Sequence, residues 1–104
     1  MPALGADGAV YFTSGNGTLY ATAATGVSRW TYSTMFQLEE ATLDGAGTLY
    51  FGSRGAGVFV VDSNGTQVSP PLLPGGDVRS TPVVGADGTL YIASGEGKLS
   101  AFGP

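Results

Sequence analysis

The sequence predicts an all-β protein built from repeated antiparallel sheets of short strands. Three observations carry this prediction: short apolar runs, turns of glycine with aspartate or asparagine between them, and recurrence of the whole pattern along the chain. The pattern is sharpest in residues 80–102, STPVVGADGTLYIASGEGKLSAF. An Asp-Gly pair between apolar runs indicates a hairpin, because glycine adopts a positive φ without steric cost. This stretch therefore predicts three strands in an antiparallel meander.

The same pattern occurs twice more, nearer the N-terminus. A shift of 80 positions lays residues 5–21 over residues 85–101, with 10 identities in 17 positions. A shift of 39 lays Tyr11 on Tyr50, and a further 41 positions lead to Tyr91. A period of about 40 residues carrying several short strands is typical of β-propeller blades, and it is too long for hexapeptide β-helix coils.

The repeats divide one domain, residues 1–104, into two complete blades and part of a third. We expect blade 1 over residues 1–34, blade 2 over residues 35–75 and partial blade 3 over residues 76–104. The strands are predicted at residues 2–5, 9–13, 18–23 and 28–33, at 41–43, 48–52 and 58–62, and at 81–84, 89–93 and 98–102. The fourth strand of blade 2 contains Pro70 and Pro71, so we expect it to be outermost and short, because proline cannot donate to a ladder.

The second strand of each blade is apolar at consecutive positions. These strands read AVYFT, TLYFG and TLYIA. A sheet with one face in water would alternate apolar and polar residues, whereas continuous apolarity indicates burial on both faces. We therefore expect each blade to be sandwiched between two others.

Composition narrows the class of protein. The 104 residues include no cysteine, so neither a disulfide nor a thiolate metal site holds the chain together. The 18 glycines fall at fixed places in the repeat and mark turns rather than disorder. With a net charge of −4 and only four basic residues the chain has no basic stripe, so we expect no nucleic-acid partner.

The N-terminus and the length of the apolar runs predict whether the chain inserts in a membrane and whether it has been processed. No apolar run approaches the ~20 residues of a membrane span, so we expect no membrane insertion. No signal peptide precedes the first repeat, and the first strand follows directly after Met1. This predicts an excised, engineered or previously processed chain.

The repeat motif resembles that of PQQ-like, quinoprotein-type β-propellers. The shared pattern is Ser/Thr-Pro, then Asp-Gly-x-x-Tyr, then Ser-x-x-Gly-x-Leu-x-Ala, then Thr-Gly-x-x-x-Trp. Copy one carries Pro2, Asp7, Gly8, Tyr11, Ser14, Gly17, Leu19, Ala21, Thr25, Gly26 and Trp30. Copy three carries Ser80, Thr81, Pro82, Asp87, Gly88, Tyr91, Ser94, Gly97, Leu99 and Ala101. Copy two keeps Tyr50, Ser53, Asn64 and Gly65 but has Ser69 in place of the tryptophan. The resemblance covers nearly the whole chain and implies four-stranded antiparallel blades.

The resemblance is specific for fold and weak for function. Similar blades occur in alcohol and sugar dehydrogenases, in an outer-membrane assembly lipoprotein and in extracytoplasmic sensor domains. It implies an extracytoplasmic location, periplasmic or secreted. A quinone-dependent dehydrogenase of this kind would hold its quinone over a tryptophan, cap it with adjacent cysteines and bind Ca²⁺. This chain has no cysteine or histidine, and packing between blades explains Trp30. We therefore expect no enzyme, no cofactor and no catalytic residue.

The turns carry candidate residues for metal binding and glycosylation. Asp7, Asp44 and Asp87 recur there, but Ca²⁺ takes six to eight oxygen ligands and each turn offers one carboxylate. We expect each aspartate to accept hydrogen bonds from its own turn and predict no metal site. Residues 16–18 and 64–66 match glycosylation sequons, although Asn-Gly is also ordinary hairpin chemistry.

The number of blades predicts the partners. A closed propeller typically has four to eight blades, so this chain alone cannot close a ring. Both ends of the stack would expose a largely apolar blade face. We expect the incomplete ring to be completed by homo-oligomerisation, with further copies of this chain or the rest of a parent propeller as partners. The outer edge of the strand at residues 98–102 is also open to a neighbouring strand.

The favoured function is a non-catalytic repeat module, a self-assembling scaffold or protein-interaction unit. A small-ligand or carbohydrate-binding propeller and a fragment of a quinone-dependent dehydrogenase are the alternatives. A binding surface is expected where four loops meet at one mouth of the ring, at residues 34–40, 54–57, 75–79 and 95–97. These loops contribute Phe36, two arginines and the pair Glu39-Glu40, which is also typical of a solvated acidic corner.

Overall fold

The computed structural model describes residues 3–5, 8–14, 16–72, 78, 81–93 and 99–102. These residues form strands and turns, and the strands pair into three antiparallel sheets. The part of the chain so described contains no helical stretch with the length and apolarity of a membrane span. The predicted all-β architecture of antiparallel four-stranded sheets is confirmed.

The strands follow each other in space as they do in sequence. The first sheet contains β1 (Ala3–Leu4), β2 (Val10–Thr13), β3 (Thr18–Thr22) and β4 (Ser28–Ser33), in that order. The second contains β5 (Leu38–Leu43), β6 (Leu49–Ser53), β7 (Gly57–Val61) and β8 (Gln67–Leu72), also in that order. The third contains β9 (Val83–Val84), β10 (Leu90–Ala93) and β11 (Leu99–Phe102), with β10 in the middle. Each sheet is a meander, so each short turn joins two paired strands.

The first hairpin of every sheet closes on a glycine at the same repeat position. Gly8, Gly47 and Gly88 have φ angles of +86°, +87° and +88°. Each donates its backbone N–H to the carbonyl three residues earlier, at 3.1, 3.1 and 3.0 Å. Side chains with a Cβ rarely adopt this left-handed region, so a glycine closes the turn between the first two predicted strands of each repeat.

Most strands begin and end within two residues of their predicted bounds, but β5 and β8 are longer than predicted. β5 begins at Leu38, inside the predicted connection at residues 34–40, because its register with β6 shifts between Leu38 and Ala41 and the bulge accommodates Glu39 and Glu40. β8 spans six residues instead of being short. It is the outermost strand, as expected, and register shifts in its pairing with β7 accommodate the prolines.

The three sheets stack in the same orientation, with one face of a sheet packed against the opposite face of the next. Successive residues of a strand point to opposite faces. We call the face carrying Tyr11, Tyr50 or Tyr91 the front face of its sheet, and the opposite face the back face. Between the first two sheets lies a buried cluster of Tyr11, Leu19 and Ala21 from the front face and Leu49, Phe51, Phe59 and Val61 from the back face. Between the second and third sheets, Tyr50 and Val58 pack with Val84, Leu90, Ile92 and Phe102.

The second sheet is covered on both faces, and the other two are not. All five residues of β7 are buried, whereas β10 alternates between buried and exposed. Phe12 on β2 is 38% exposed and Tyr91 on β10 is 37% exposed. The expectation that every second strand is buried on both faces therefore holds in the middle of the stack and fails at its ends, where no described residue covers the outward faces.

Candidate functional site

Two of the four loops predicted to share one mouth come together there. They are residues 34–37, between β4 and β5, and residues 54–56, between β6 and β7. The N–H of Arg54 donates to the carbonyl of Gln37 at 3.0 Å. The Nε of Arg54 lies 3.4 Å from Oε2 of Glu39. We define the mouth surface as Met35, Phe36, Glu39, Arg54 and Gly55.

The first loop is held in place by Thr34 and the turn at Gly17. The backbone N–H and the hydroxyl of Thr34 both donate to the carbonyl of Gly17, each at 2.8 Å. The hydroxyl also accepts from the N–H of Phe36 at 3.2 Å. Gly17 has a φ of +87°, and a Cβ there would lie 2.5 Å from the carbonyl oxygen of Phe36. Only glycine permits this approach, so the turn of the first sheet fixes the loop before the second.

The mouth surface carries two apolar side chains. The ring of Phe36 is 37% exposed and packs against Gly55, where a Cβ would lie 3.5 Å from it. Its inner edge faces Phe59, with ring centroids 6.5 Å apart. Met35 is 97% exposed. Such exposure of a flexible apolar side chain beside an aromatic ring suits binding of an amphipathic partner.

The ion pair between Arg54 and Glu39 on the mouth surface adds little to the stability of the fold. The side chains of Arg54 and Glu39 are 41% and 21% exposed. Water screens a pair at this exposure, so it contributes at most about 1 kcal/mol. Its guanidinium and carboxylate remain accessible to a polar ligand.

The remaining predicted loops lie mostly outside the described residues. Of residues 75–79 the structure describes Val78, which is fully buried and donates its N–H to the carbonyl of Ser53 at 2.8 Å. Residues 95–97 are outside the described part of the chain. Met35 belongs to the site but was not predicted from the sequence. An apolar residue within a predicted connection was the feature that could have indicated it.

Asp44 accepts hydrogen bonds from its own turn and from a neighbouring tyrosine. Its Oδ1 accepts from the N–H groups of Ala46 and Thr48, each at 2.9 Å. Its Oδ2 accepts from the hydroxyl of Tyr50 at 2.9 Å. Burial raises the pKa of Tyr50 to about 12, and the neighbouring Asp44 carboxylate adds to the shift. The turn role expected of this aspartate is thus observed.

Asp87 has the same role in the third sheet. It is fully exposed, and its Oδ1 accepts from the N–H of Thr89 at 3.0 Å. That hydrogen bond holds the pKa of Asp87 below its ordinary value. Asp7 lies outside the described residues. Among the residues that the structure does describe, no three His, Cys, Asp or Glu side chains are grouped to hold a metal ion.

A cleft lies at the opposite edge from the mouth surface, between the first turns of the first and second sheets. Its volume is about 260 Å³. The lining residues are Leu4, Gly5, Tyr11, Leu43, Asp44, Gly45, Ala46 and Gly47. The charged residue among them, Asp44, is engaged by its own turn and by Tyr50, so the cleft offers little polar chemistry to a ligand.

Trp30 joins the first two sheets. Its Nε1 donates to the carbonyl of Ser63 at 2.9 Å, and its ring centroid lies 5.9 Å from that of Tyr11. This is the packing between blades that the repeat motif predicts. The sequon residues Asn16 and Asn64 both lie exposed in turns.

Known proteins resemble this chain in structure. Neither family models nor curated protein sequences match it. Among solved structures, 53 chains match. One is BamB from Moraxella catarrhalis, with a TM-score of 0.77 and 25% identity over 97% of this chain. Another is a streptogramin B lyase, with a TM-score of 0.73 and 16% identity over 99% of this chain, a likeness that shows the fold alone.

Both of these proteins are β-propellers, and they establish the architecture of this chain. The match covers 32% of the BamB chain and 39% of the lyase chain, so the chain spans about a third of the length of the propellers it resembles. The chain therefore consists of propeller blades, as the repeat predicted.

Proposed function

We propose that this stack of propeller blades is a non-catalytic protein-interaction module that assembles with further copies of itself. The observation that carries the proposal is the uncovered apolar face at each end of the stack. Large apolar side chains are exposed on both of these faces, whereas the other exposed ones, Val27, Met35, Phe36 and Val68, lie in loops or on the outermost strand of the second sheet. Those on the two faces are Leu4 and Phe12 at one end and Val83, Tyr91 and Leu99 at the other.

The apolar area exposed on these two faces favours assembly. Soluble monomers rarely expose large contiguous apolar patches, and such patches mark interaction sites. Each apolar face that is withdrawn from water stabilises the assembled state in proportion to its area. A chain with two such faces gains from assembly at both ends.

The similar structures support a propeller module. This chain spans about a third of the length of each. One of the two is a streptogramin B lyase. We propose the non-catalytic role because the aspartates described above are engaged in turns, which leaves the mouth surface for binding. The quinoprotein-type resemblance supports an extracytoplasmic location.

The test is the molar mass in solution. Sedimentation equilibrium from about 1 µM to about 1 mM should show species heavier than the single chain of 10.4 kDa. Circular dichroism on the same samples should show β-structure throughout. A folded chain that stays at the mass of one copy over the whole range would contradict self-assembly.

A second candidate function is the binding of a small ligand or carbohydrate at the mouth surface. The observation that favours it is that the exposed Phe36 and the Arg54–Glu39 ion pair share one mouth surface, because an aromatic face with polar groups on the same surface suits sugars and similar ligands. A glycan array probed with the wild-type chain tests it. Binding that is lost in both Phe36→Ala and Arg54→Ala would support this candidate, and an array without signal would contradict it.

A further inference from the structure

The two uncovered faces at the ends of the stack are of opposite kind. The front end, as we call it, is the front face of the third sheet and consists of Val83, Tyr91, Ala93, Leu99 and Ala101. The back end is the back face of the first sheet and includes Leu4, Val10, Phe12 and Tyr20. One end therefore presents a front face and the other a back face.

The front end repeats surfaces that are buried elsewhere in the chain. Leu99 is 71% exposed, whereas Leu19 and Val58, at the same position in the other two sheets, are both 0% exposed. Tyr91 is 37% exposed, whereas its counterpart Tyr11 is 2% exposed. In both comparisons the counterpart is covered by the back face of the next sheet.

The back end shows the same contrast. Phe12 is 38% exposed, whereas Phe51 and Ile92, at the same repeat position, are both fully buried. Leu4 is 72% exposed, whereas its counterparts Leu43 and Val84 pack against the two buried clusters. These counterparts are covered by the front face of the preceding sheet.

An aromatic pair shows how closely the back end reproduces an internal junction. Phe12 and Tyr20 stack with centroids 5.2 Å apart and an interplanar angle of 17°. Their counterparts, Phe51 and Phe59, stack at 5.5 Å and 21°. The second pair is covered by Tyr32 from the first sheet, whose ring centroid lies 6.0 and 6.1 Å from theirs. The first pair has the same geometry and no described cover.

We infer that the front end of one copy of this chain docks on the back end of a second copy. Both junctions inside the chain join a front face to a back face, so the chain itself shows what each face packs against. The contact is heterologous, because different surfaces of the two copies meet. This inference rests on the proposed self-assembly and names the surfaces that carry it.

The number of sheets sets the size of the assembly. Each chain contributes three sheets, so two copies contribute six and three copies contribute nine. Closed propellers typically have four to eight blades. The assembly is therefore a dimer in which each front end covers the partner's back end and the ring closes.

The test uses one charged substitution at each end. Phe12→Glu places a carboxylate on the back end, and Leu99→Glu places one on the front end. Each buries unpaired charge in the dimer and should weaken its Kd by about 100-fold or more. Val68→Glu, at an exposed position on the outermost strand of the second sheet, is the control and should leave the Kd unchanged. All three replaced side chains are exposed in the chain, so circular dichroism should match the wild type.

Mixing the two variants tests the direction of docking. The Phe12→Glu chain retains its front end and the Leu99→Glu chain retains its back end, so a mixture keeps one unaltered junction. Each variant alone should sediment as a monomer, and an equimolar mixture should form a heterodimer. The second junction of that heterodimer carries two carboxylates and stays open, so its Kd should be weaker than that of the wild type.

The possible results separate this inference from the proposed function. If the wild type assembles but both variants still dimerise, the end faces are not the contact, and the inference is wrong while self-assembly stands. If only one variant is monomeric, the contact joins like faces and head-to-tail docking is wrong. A wild type that is monomeric at every concentration overturns both.

Discussion

Trp30 lies directly over the backbone of Gly65 in the neighbouring sheet. A Cβ added to Gly65 would come within 2.8 Å of the indole Cδ2, and the indole Nε1 donates to the carbonyl of Ser63 at 2.9 Å. The outermost strand of the first blade is thereby joined to the last turn of the second. This single contact combines apolar packing with a hydrogen bond across the junction.

Comparing Gly65→Ala with Gly26→Ala should separate the cost of displacing Trp30 from the cost of backbone strain in the turn. Gly65 has a φ of +84°, and Gly26, at the same repeat position in the first sheet, has a φ of +90° with nothing within 4 Å of an added Cβ. Gly26→Ala should cost about 1 kcal/mol from backbone strain alone. Gly65→Ala should cost about 1–3 kcal/mol more, because the methyl group displaces the indole. Urea denaturation measures both, and equal losses would contradict the contact.

Ser53→Ala should destabilise more than the same change at Ser14. The hydroxyl of Ser53 is fully buried, donates to the carbonyl of Gly57 at 2.8 Å and accepts from the N–H of Ala56 at 3.1 Å. Removing it leaves buried polar groups unpaired, at a cost of about 1–3 kcal/mol. Ser14, its counterpart in the first sheet, is partly exposed, so water replaces the hydroxyl there. Thermal unfolding of both variants checks this, and a larger loss at Ser14 would contradict it.

The stability of the fold should fall at alkaline pH through Tyr50. Its pKa is raised from 10.0 to about 12, so the folded state favours the neutral phenol. The stability that the neutral phenol of Tyr50 contributes to the folded state is complete below pH 10, and it is lost as the pH rises through about 12. Tyr50→Phe lacks this group, so its difference in unfolding free energy from the wild type should shrink over that range. Tyr20→Phe, which removes a hydroxyl away from Asp44, is the control, and a constant difference for Tyr50→Phe would contradict the prediction.

Thr42→Val should loosen the third sheet. The hydroxyl of Thr42 donates to the carbonyl of Pro82 at 2.6 Å, which links the innermost strand of the second sheet to the residue before β9. Losing this bond should cost about 0.5–1.5 kcal/mol. Hydrogen exchange of the β10 amides should accelerate relative to that of β3. Thr31→Val, the same change at an exposed position on β4, is the control, and similar exchange in both variants would contradict the link.

The turns and strands could be predicted because their determinants are local. The strand at residues 28–33 is observed as Ser28–Ser33, and glycines with positive φ close the hairpins between the predicted strands. The start of β5 could not be predicted, because the bulge at Glu39 and Glu40 depends on pairing with β6. Tertiary pairing decides which residues of an apparent loop enter a strand.

The mouth surface was predicted as a meeting of loops but not as a set of contacts. Alternate turns of meanders lie at the same edge of stacked sheets, which brings residues 34–37 and 54–56 together. The pairing of Arg54 with Glu39 and the close approach of Gly17 to Phe36 join residues far apart in sequence. No local pattern specifies such contacts.

The sequence by itself determined the repeat, the strands and the apolar character of both faces of each sheet. Only the tertiary structure decided which of those faces are covered. Phe12 and Phe51 occupy the same repeat position in similar strands, yet one is 38% exposed and the other is fully buried. The physical reason is that strand and turn preferences act over a few residues, whereas burial depends on whether another sheet lies against the face.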